Sequence, residues 1–173
     1  MKNKNILILG GNTSNNVTWI KNITNEFKTN NKVNSIHYNH WNTDQELDID
    51  LELNKIKEIL KDQKDYTIIA KSVGSIISLI GIKEKIIKPK NIIILGLPLR
   101  YVERKNIDLM PLINNALNNT NIYIIQQKDD PIGKYEEVKQ LVPNNIKVFE
   151  IPGHFHIYGN LTLIRSIIDD LDI

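Results

Sequence analysis

The sequence contains no cysteine among its 173 residues. Disulfide bonds, thiolate catalysis and cysteine-based metal sites are therefore excluded. Arginine is scarce, and the 22 basic and 20 acidic residues leave a net charge of +2 that is spread along the chain. This distribution gives no indication of binding to nucleic acid or to an anionic membrane.

Long hydrophobic segments are also missing. The first apolar run, Ile6 to Leu9, is far shorter than the core of a signal peptide or a membrane span, so the sequence predicts a cytoplasmic protein. A length of 173 residues, with 41% hydrophobic and 24% charged residues, predicts one globular domain over residues 1–173 with no separate lid. No histidine–carboxylate cluster has metal-ligand spacing, and we expect neither a metal nor a cofactor.

Short apolar runs alternate along the chain with longer amphipathic segments. The predicted strands are Asn5–Leu9, Lys32–His37, Tyr66–Ala70, Asn91–Leu95, Asn121–Gln126 and Ile146–Ile151. The predicted helices are Asn16–Phe27, Ile49–Gln63, Ser75–Ile87, Arg104–Asn118, Lys134–Leu141 and Leu161–Leu171. This alternation predicts an α/β fold, a parallel sheet between two helical layers. Ligand sites in such folds lie beyond the carboxyl ends of the strands, so the residues that follow each strand are the candidates.

The segment Ala70-Lys71-Ser72-Val73-Gly74 lies between a predicted strand and a predicted helix. A serine on a sharp strand-to-helix turn, with a small residue two positions before and after it, is typical of a nucleophile elbow. The small residues are needed because strand and helix approach closely there. The backbone N–H of Val73 would face a developing oxyanion at the positive end of the helix. Alone, the pattern also fits a capped helix start.

Two further segments supply partners for this serine. Asp130 follows the fifth predicted strand and precedes a proline, and His156 follows the sixth. The order serine, aspartate, histidine is the chain order of α/β-hydrolase triads. Such a set is chemically required, because serine needs an imidazole to accept its proton and the imidazole needs a carboxylate to orient it. Asp129 and His154 are the alternatives for the acid and the base.

The loop after the first predicted strand contains Gly10, Gly11 and Asn12. Glycines let the backbone approach a substrate, and the N–H of Asn12 or Gly11 could complete an oxyanion hole. Phosphate binding is the weaker interpretation, since the loop matches neither a dinucleotide fingerprint nor a Walker A motif.

Together these residues resemble the α/β-hydrolase superfamily, and within it the small, cap-less serine hydrolases of the retinoblastoma-binding-protein type and their bacterial relatives. Gly11-Asn12 followed by Trp19, and His37-Tyr38-Asn39-His40-Trp41 after the second strand, fit that type. The resemblance implies a reduced α/β-hydrolase fold, a six-stranded parallel sheet in the order 2-1-3-4-5-6. It also selects His156 at the end of the Pro-Gly-x-x-His stretch. Ala70 and Lys71 depart from the usual elbow residues.

The sequence thus predicts a serine hydrolase that cleaves a small ester, thioester or amide through an acyl-enzyme. Leu97, Pro98, Leu99 and Arg100, after the fourth strand, would line the pocket for a small-molecule acyl substrate. A binding or scaffold protein on the same fold and an acyltransferase are the alternatives. Lys71 is expected at the surface or in a salt bridge. His37 and His40 are expected to be packing or solvated groups, and Trp19 and Trp41 to belong to the core or its shell.

Overall fold

The computed structural model describes residues 4–171, and its centre is one parallel sheet. The strands run in the order β2-β1-β3-β4-β5-β6, and every neighbouring pair is parallel. Their bounds are β1 (Lys4–Leu9), β2 (Asn31–Ser35), β3 (Tyr66–Lys71), β4 (Asn91–Leu95), β5 (Asn121–Gln127) and β6 (Lys147–Ile151). The predicted strand order is confirmed.

Helices flank this sheet in two groups. They are α1 (Asn16–Phe27), α2 (Ile49–Leu60), α3 (Val73–Lys83), α4 (Leu99–Arg104), α5 (Leu109–Leu117), α6 (Tyr135–Leu141) and α7 (Leu161–Asp169), with a short 3-10 helix at Asn39–Asn42. α1 contacts α7, whereas α3 contacts both α2 and α5. No helix within residues 4–171 has the length and apolar character that crossing a bilayer would require.

The central strands are apolar at nearly every position because both of their faces are covered. β3 and β4 are buried along their whole length. Strands buried on both faces lose the alternation of polar and apolar residues that marks a half-exposed strand. The core therefore lies on both sides of β1, β3, β4 and β5, and it holds the carboxyl ends of these strands in a fixed arrangement.

The predicted helix from Arg104 to Asn118 is wrong in its extent. Of this range only α5 (Leu109–Leu117) is a regular helix, and Arg104 is instead the last residue of α4, a separate helix that the sequence did not predict. Asn106 lies between α4 and α5 with a φ of 52°, a left-handed conformation that asparagine adopts more readily than most residues and that ends a helix.

Candidate active site

Ser72 lies on the turn between β3 and α3 in a conformation that serine rarely adopts. Its φ and ψ are 52° and −122°, outside the regions that are favourable for a residue with a Cβ atom. The backbone N–H of Ser72 donates to the carbonyl of Leu95 on β4 at 3.0 Å. Backbone strain of this kind is a feature of functional sites, and here it is held by the neighbouring strand.

The elbow approaches the loop after β1 so closely that only glycine fits at position 74. A Cβ atom at Gly74 would lie 2.7 Å from the carbonyl oxygen of Gly10. The same carbonyl accepts a hydrogen bond from the N–H of Gly74 at 3.1 Å. The turn that carries Ser72 and the loop after β1 are therefore joined directly, backbone to backbone.

Asp130 and His156 come together at the carboxyl edge of the sheet. His156 Nδ1 lies 2.7 Å from Asp130 Oδ2, and the carboxylate is fully buried. Asp130 Oδ1 also accepts the backbone N–H of Ile132 at 2.9 Å. Because an ionised carboxylate only accepts hydrogen bonds, this contact places a proton on Nδ1. The lone pair of a neutral His156 is then on Nε2.

The Nε2 atom of His156 is buried and has no hydrogen-bond partner within residues 4–171. Ser72 Oγ is thus not hydrogen-bonded to it in this structure. Hydrogen bonds between a nucleophile and its base are often long without substrate and tighten in the complex. An unpartnered Nε2 is the state in which an imidazole can accept a proton.

The alternative acid and base lie elsewhere. Asp129 is exposed, and its backbone N–H donates to the carbonyl of Gly153. His154 is exposed and its ring packs against Phe155, with 3.8 Å between the ring centroids. Of the four candidate residues, Asp129, Asp130, His154 and His156, only Asp130 and His156 form a carboxylate–imidazole contact in the part of the chain described.

Tyr158 is a site residue that sequence reasoning missed. Its hydroxyl donates to Asp130 Oδ2 at 2.8 Å and accepts the backbone N–H of Gln127 at 3.0 Å. Burial, reinforced by the charge of Asp130, raises the pKa of Tyr158 far above its ordinary value, so the hydroxyl keeps its proton and donates. A Cβ atom at Gly96 would meet the Tyr158 ring at 2.5 Å, which explains the glycine at the end of β4.

Two glutamines at the end of β5 complete this buried polar group. Gln127 Oε1 accepts the backbone N–H of His156 at 3.0 Å, and Gln126 Oε1 accepts the N–H of Leu97 at 2.8 Å. Gln126 Nε2 also lies 3.4 Å from Asp130 Oδ2. Consecutive buried amides at the end of an otherwise apolar strand were the available signal in the sequence.

The predicted oxyanion donors lie on the two backbone segments that Gly10 and Gly74 join. No backbone acceptor within residues 4–171 takes the N–H of Gly11, Asn12 or Val73 outside the regular elements. Val73 is the first residue of α3, where the backbone N–H groups have no intrahelical partner. These N–H groups are consequently available to a ligand.

The histidines after β2 differ from each other. His37 is exposed, whereas His40 Nε2 lies 2.6 Å from the carbonyl oxygen of Asn12. Tyr38, which is fully buried, donates its hydroxyl to the carbonyl of Gly10 at 3.1 Å. The segment after β2 therefore supports the glycine loop. Within residues 4–171, no group of three or more histidine and carboxylate side chains is arranged to hold a metal ion.

Lys71 is not at the surface or in a salt bridge, and that expectation is wrong. The residue is 8% exposed, and its Nζ donates to Asn16 Oδ1 at 2.9 Å. Nζ also lies 5.5 Å from the centre of the Trp19 ring, and Trp19 and Trp41 are both buried as expected. Burial lowers the pKa of Lys71 to about 8, although the charge of Asp130 acts in the opposite direction.

The predicted pocket residues follow β4 closely. Leu97, Pro98 and Leu99 are buried, and Leu97 and Leu99 contribute to the main core. The Arg100 guanidinium is directed toward Glu103 and Glu137 in exposed ion pairs. That Leu97, Pro98, Leu99 and Arg100 contact a substrate stays a prediction.

Several solved structures share this architecture. The esterase domain of a Rhodothermus marinus protein matches with a TM-score of 0.72 and 11% identity, over 99% of this chain and 87% of that chain. Naproxen esterase (carboxylesterase NP) from Bacillus subtilis matches with a TM-score of 0.66 and 11% identity, over 99% and 84%. The thioesterase domain from the curacin biosynthetic pathway matches with a TM-score of 0.70 and 9% identity, over 96% and 90%.

No family model and no curated protein sequence matches the chain. At the identities of the structural neighbours, the likeness establishes the fold and leaves the chemistry to be argued from the residues. The chain adopts the α/β-hydrolase fold in a reduced, six-stranded form, as the resemblance implied.

Proposed function

We propose that the protein is a serine hydrolase that cleaves a small ester, thioester or amide through an acyl-enzyme. The observation that carries this proposal is the buried Asp130–His156 contact of 2.7 Å at the same sheet edge as the strained Ser72 turn. The esterase and thioesterase activities named for structural neighbours agree with it.

In the first step Ser72 Oγ attacks the substrate carbonyl and its proton passes to His156 Nε2. Asp130 remains ionised, holds the Nδ1–H tautomer and stabilises the imidazolium that forms. The N–H groups of Val73 and of Asn12 or Gly11 would bind the oxyanion. Loss of one such donor costs about 2.7–4 kcal/mol of transition-state stabilisation in serine hydrolysis.

The tetrahedral intermediate then collapses. His156 returns its proton to the leaving alcohol, thiol or amine, and the acyl group stays on Ser72. Water enters, gives a proton to Nε2 and attacks the ester carbonyl, and a second collapse releases the acid and restores the Ser72 hydroxyl. Every proton in this cycle passes through the single unpartnered nitrogen of His156.

Turnover of p-nitrophenyl acetate by paired variants tests the assignment. Ser72→Ala, His156→Ala and Asp130→Asn are each expected to lower kcat by about 10³-fold or more, since each removes a member of one catalytic unit. His154→Ala and Asp129→Asn are the matched controls, because both residues are exposed neighbours of the same types. The controls are expected to keep kcat within about twofold.

Two outcomes would refute the proposal. One is a Ser72→Ala variant that turns over the ester as fast as the native chain. The other is an exchange of roles, in which His154→Ala loses activity and His156→Ala keeps it. A different outcome would identify the protein as an acyltransferase that uses the same acyl-enzyme. In that case an added alcohol would speed the release of p-nitrophenol and would itself be converted to a new ester.

A further inference from the structure

Lys71 is a buried cation that the proposed reaction does not use. It is the last residue of β3 and directly precedes Ser72, and it is 8% exposed. Within residues 4–171 no carboxylate forms an ion pair with it. An unpaired charge at this depth lowers the stability of the folded chain, so its presence calls for a physical reason.

Within the described residues 4–171, the side chain of Lys71 forms one hydrogen bond, to Asn16 at the start of α1. Asn16 is 4% exposed, and its Nδ2 donates to the carbonyl of Thr13 at 2.8 Å and lies 3.3 Å from Thr13 Oγ1. The same amide lies against Gly11, where a Cβ atom would meet Asn16 Nδ2 at 3.0 Å. Asn16 is thus hydrogen-bonded to Thr13 and lies close to Gly11, both in the loop after β1.

The chemistry of these partners fixes the orientation of the Asn16 amide. An ammonium only donates hydrogen bonds, and a backbone carbonyl only accepts them. Asn16 Oδ1 must therefore face Lys71, and Nδ2 must face Thr13. A charged donor also forms a stronger hydrogen bond than a neutral one, so a buried ammonium holds the amide more firmly than a hydroxyl would.

We propose that Lys71 is a positioning residue for the oxyanion-binding loop, residues 10–15, and that it acts through the side chain of Asn16. This inference rests on the proposed serine hydrolase function. The ammonium does not touch the reacting atoms. It links the strand that directly precedes Ser72 to the loop that carries the N–H groups of Gly11 and Asn12, and so sets the distance between nucleophile and oxyanion donors.

The first test is the kinetics of Lys71→Met, which keeps an unbranched side chain one heavy atom shorter and removes its donors. We expect kcat to fall by about 10–100-fold while KM changes by less than about threefold, because a misplaced donor affects the transition state more than substrate binding. Asn91→Leu is the control. Asn91 is a buried polar residue that is hydrogen-bonded to Thr67, and it lies at the amino end of β4, away from the carboxyl ends of the strands. The control is expected to keep kcat.

A double-mutant cycle tests the route through Asn16. If Lys71 acts through this amide, Lys71→Met adds no further loss of kcat to an Asn16→Ala background. If the losses of kcat from the two substitutions multiply in the double variant, Lys71 does not act through Asn16. A Lys71→Met variant with native kcat would overturn the proposal itself.

Amide hydrogen exchange gives a readout that does not depend on turnover. The N–H groups of Asn16 and Val17 donate to Thr13 and Ser14 at 3.0 Å, and both should exchange faster in Lys71→Met than in the native chain. If the native chain shows no turnover that depends on Ser72, the proposed function is contradicted. Unchanged exchange at Asn16 and Val17 contradicts the positioning role alone.

Discussion

At the scale of single residues, the polar contacts beneath His156 decide whether it can act as a base. Asp130 is fully buried and receives hydrogen bonds from His156, from the Tyr158 hydroxyl and from the N–H of Ile132. Each of these donors offsets the cost of removing the carboxylate from water. The orientation of the imidazole therefore depends on residues that never meet a substrate.

Tyr158→Phe tests this dependence. The variant leaves Asp130 with one donor fewer and leaves the N–H of Gln127 without its acceptor, so we expect it to destabilise the fold by about 1–3 kcal/mol. We also expect kcat to fall, because the imidazole is less firmly held. Tyr66→Phe is matched to it, since the Tyr66 hydroxyl accepts one backbone N–H, from Lys88, far from the triad.

Urea denaturation and steady-state kinetics check both variants. Tyr66→Phe should lose stability and keep kcat, whereas Tyr158→Phe should lose both. If the two variants have the same kcat, the Tyr158 hydroxyl does not support the base.

Lys71 gives a prediction about pH. Its pKa is lowered from 10.5 to about 8 in the folded chain, mainly by burial. Between these values the unfolded chain binds a proton that the folded chain has released, so the free energy of unfolding rises with pH in this window. The full gain is about 3 kcal/mol, and it is absent below pH 8.

Lys71→Met should remove this rise. Urea denaturation at pH 7 and pH 10 gives the difference between the two chains at each pH. We expect the variant to be the more stable chain at pH 7 and the advantage to shrink at pH 10. A difference that does not change with pH would show that Lys71 does not titrate there.

The contrast between Ser72 and Lys71 shows what the sequence could reveal at this scale. The Asp130–His156 contact and the strained turn at Ser72 were predictable, because the chain order of these three residues and their places after strands are regular features of a fold. The environment of Lys71 was not, since it depends on Asn16 and Trp19, which lie more than 50 positions away in the chain. Tyr158 was missed because its hydrogen-bond partners, Asp130 and Gln127, lie at or just after the end of β5, 28 and 31 positions away in the chain.

At the scale of elements, the turn from β3 into α3 is fixed by its contact with the loop after β1. Gly74 donates to Gly10, and no side chain fits between them. Such contacts follow from small residues in the elbow, so this part of the site could be predicted from sequence. The left-handed turn at Asn106 between α4 and α5 could not, because asparagine is also compatible with a helical conformation.

Gly74→Ala tests the contact between turn and loop. The new methyl group would meet the Gly10 carbonyl at 2.7 Å, and the loop must move away. We expect a loss of about 1–3 kcal/mol in stability and a fall in kcat of at least about 10-fold. Thermal unfolding and ester turnover measure the two effects.

Gly159→Ala is the control for this substitution. A Cβ atom there would come no closer than 3.6 Å to the side chain of Ile157, and its φ is not in the positive range that disfavours alanine. Stability and kcat should both stay near native values. Equal behaviour of the two alanine variants would mean that the turn and the loop are not tightly coupled.

At the scale of the whole molecule, one sheet and one core position the residues of the proposed triad. β3, β5 and β6 each precede one of these residues, and the strands occupy the third, fifth and sixth positions of the continuous sheet. The parallel arrangement could be predicted, because its strands show the unbroken apolar runs of a sheet buried on both faces.

Because the sequence predicts a single domain, we expect the chain to unfold in one cooperative transition. Far-ultraviolet circular dichroism reports the helices, and tryptophan fluorescence reports Trp19 on α1 and Trp41 in the 3-10 helix. Midpoints from the two signals should coincide in urea. Separate midpoints would mean that the chain unfolds in parts.

The central claim is that Ser72 is a nucleophile activated by His156 and Asp130. The most direct measurement is intact-mass and peptide analysis after treatment with a fluorophosphonate, which phosphonylates an activated serine and mimics the first chemical step. We predict one adduct per chain, located on Ser72, absent from Ser72→Ala and formed much more slowly by Asp130→Asn. Native protein that takes no adduct, or takes it equally after Ser72→Ala, would contradict the claim.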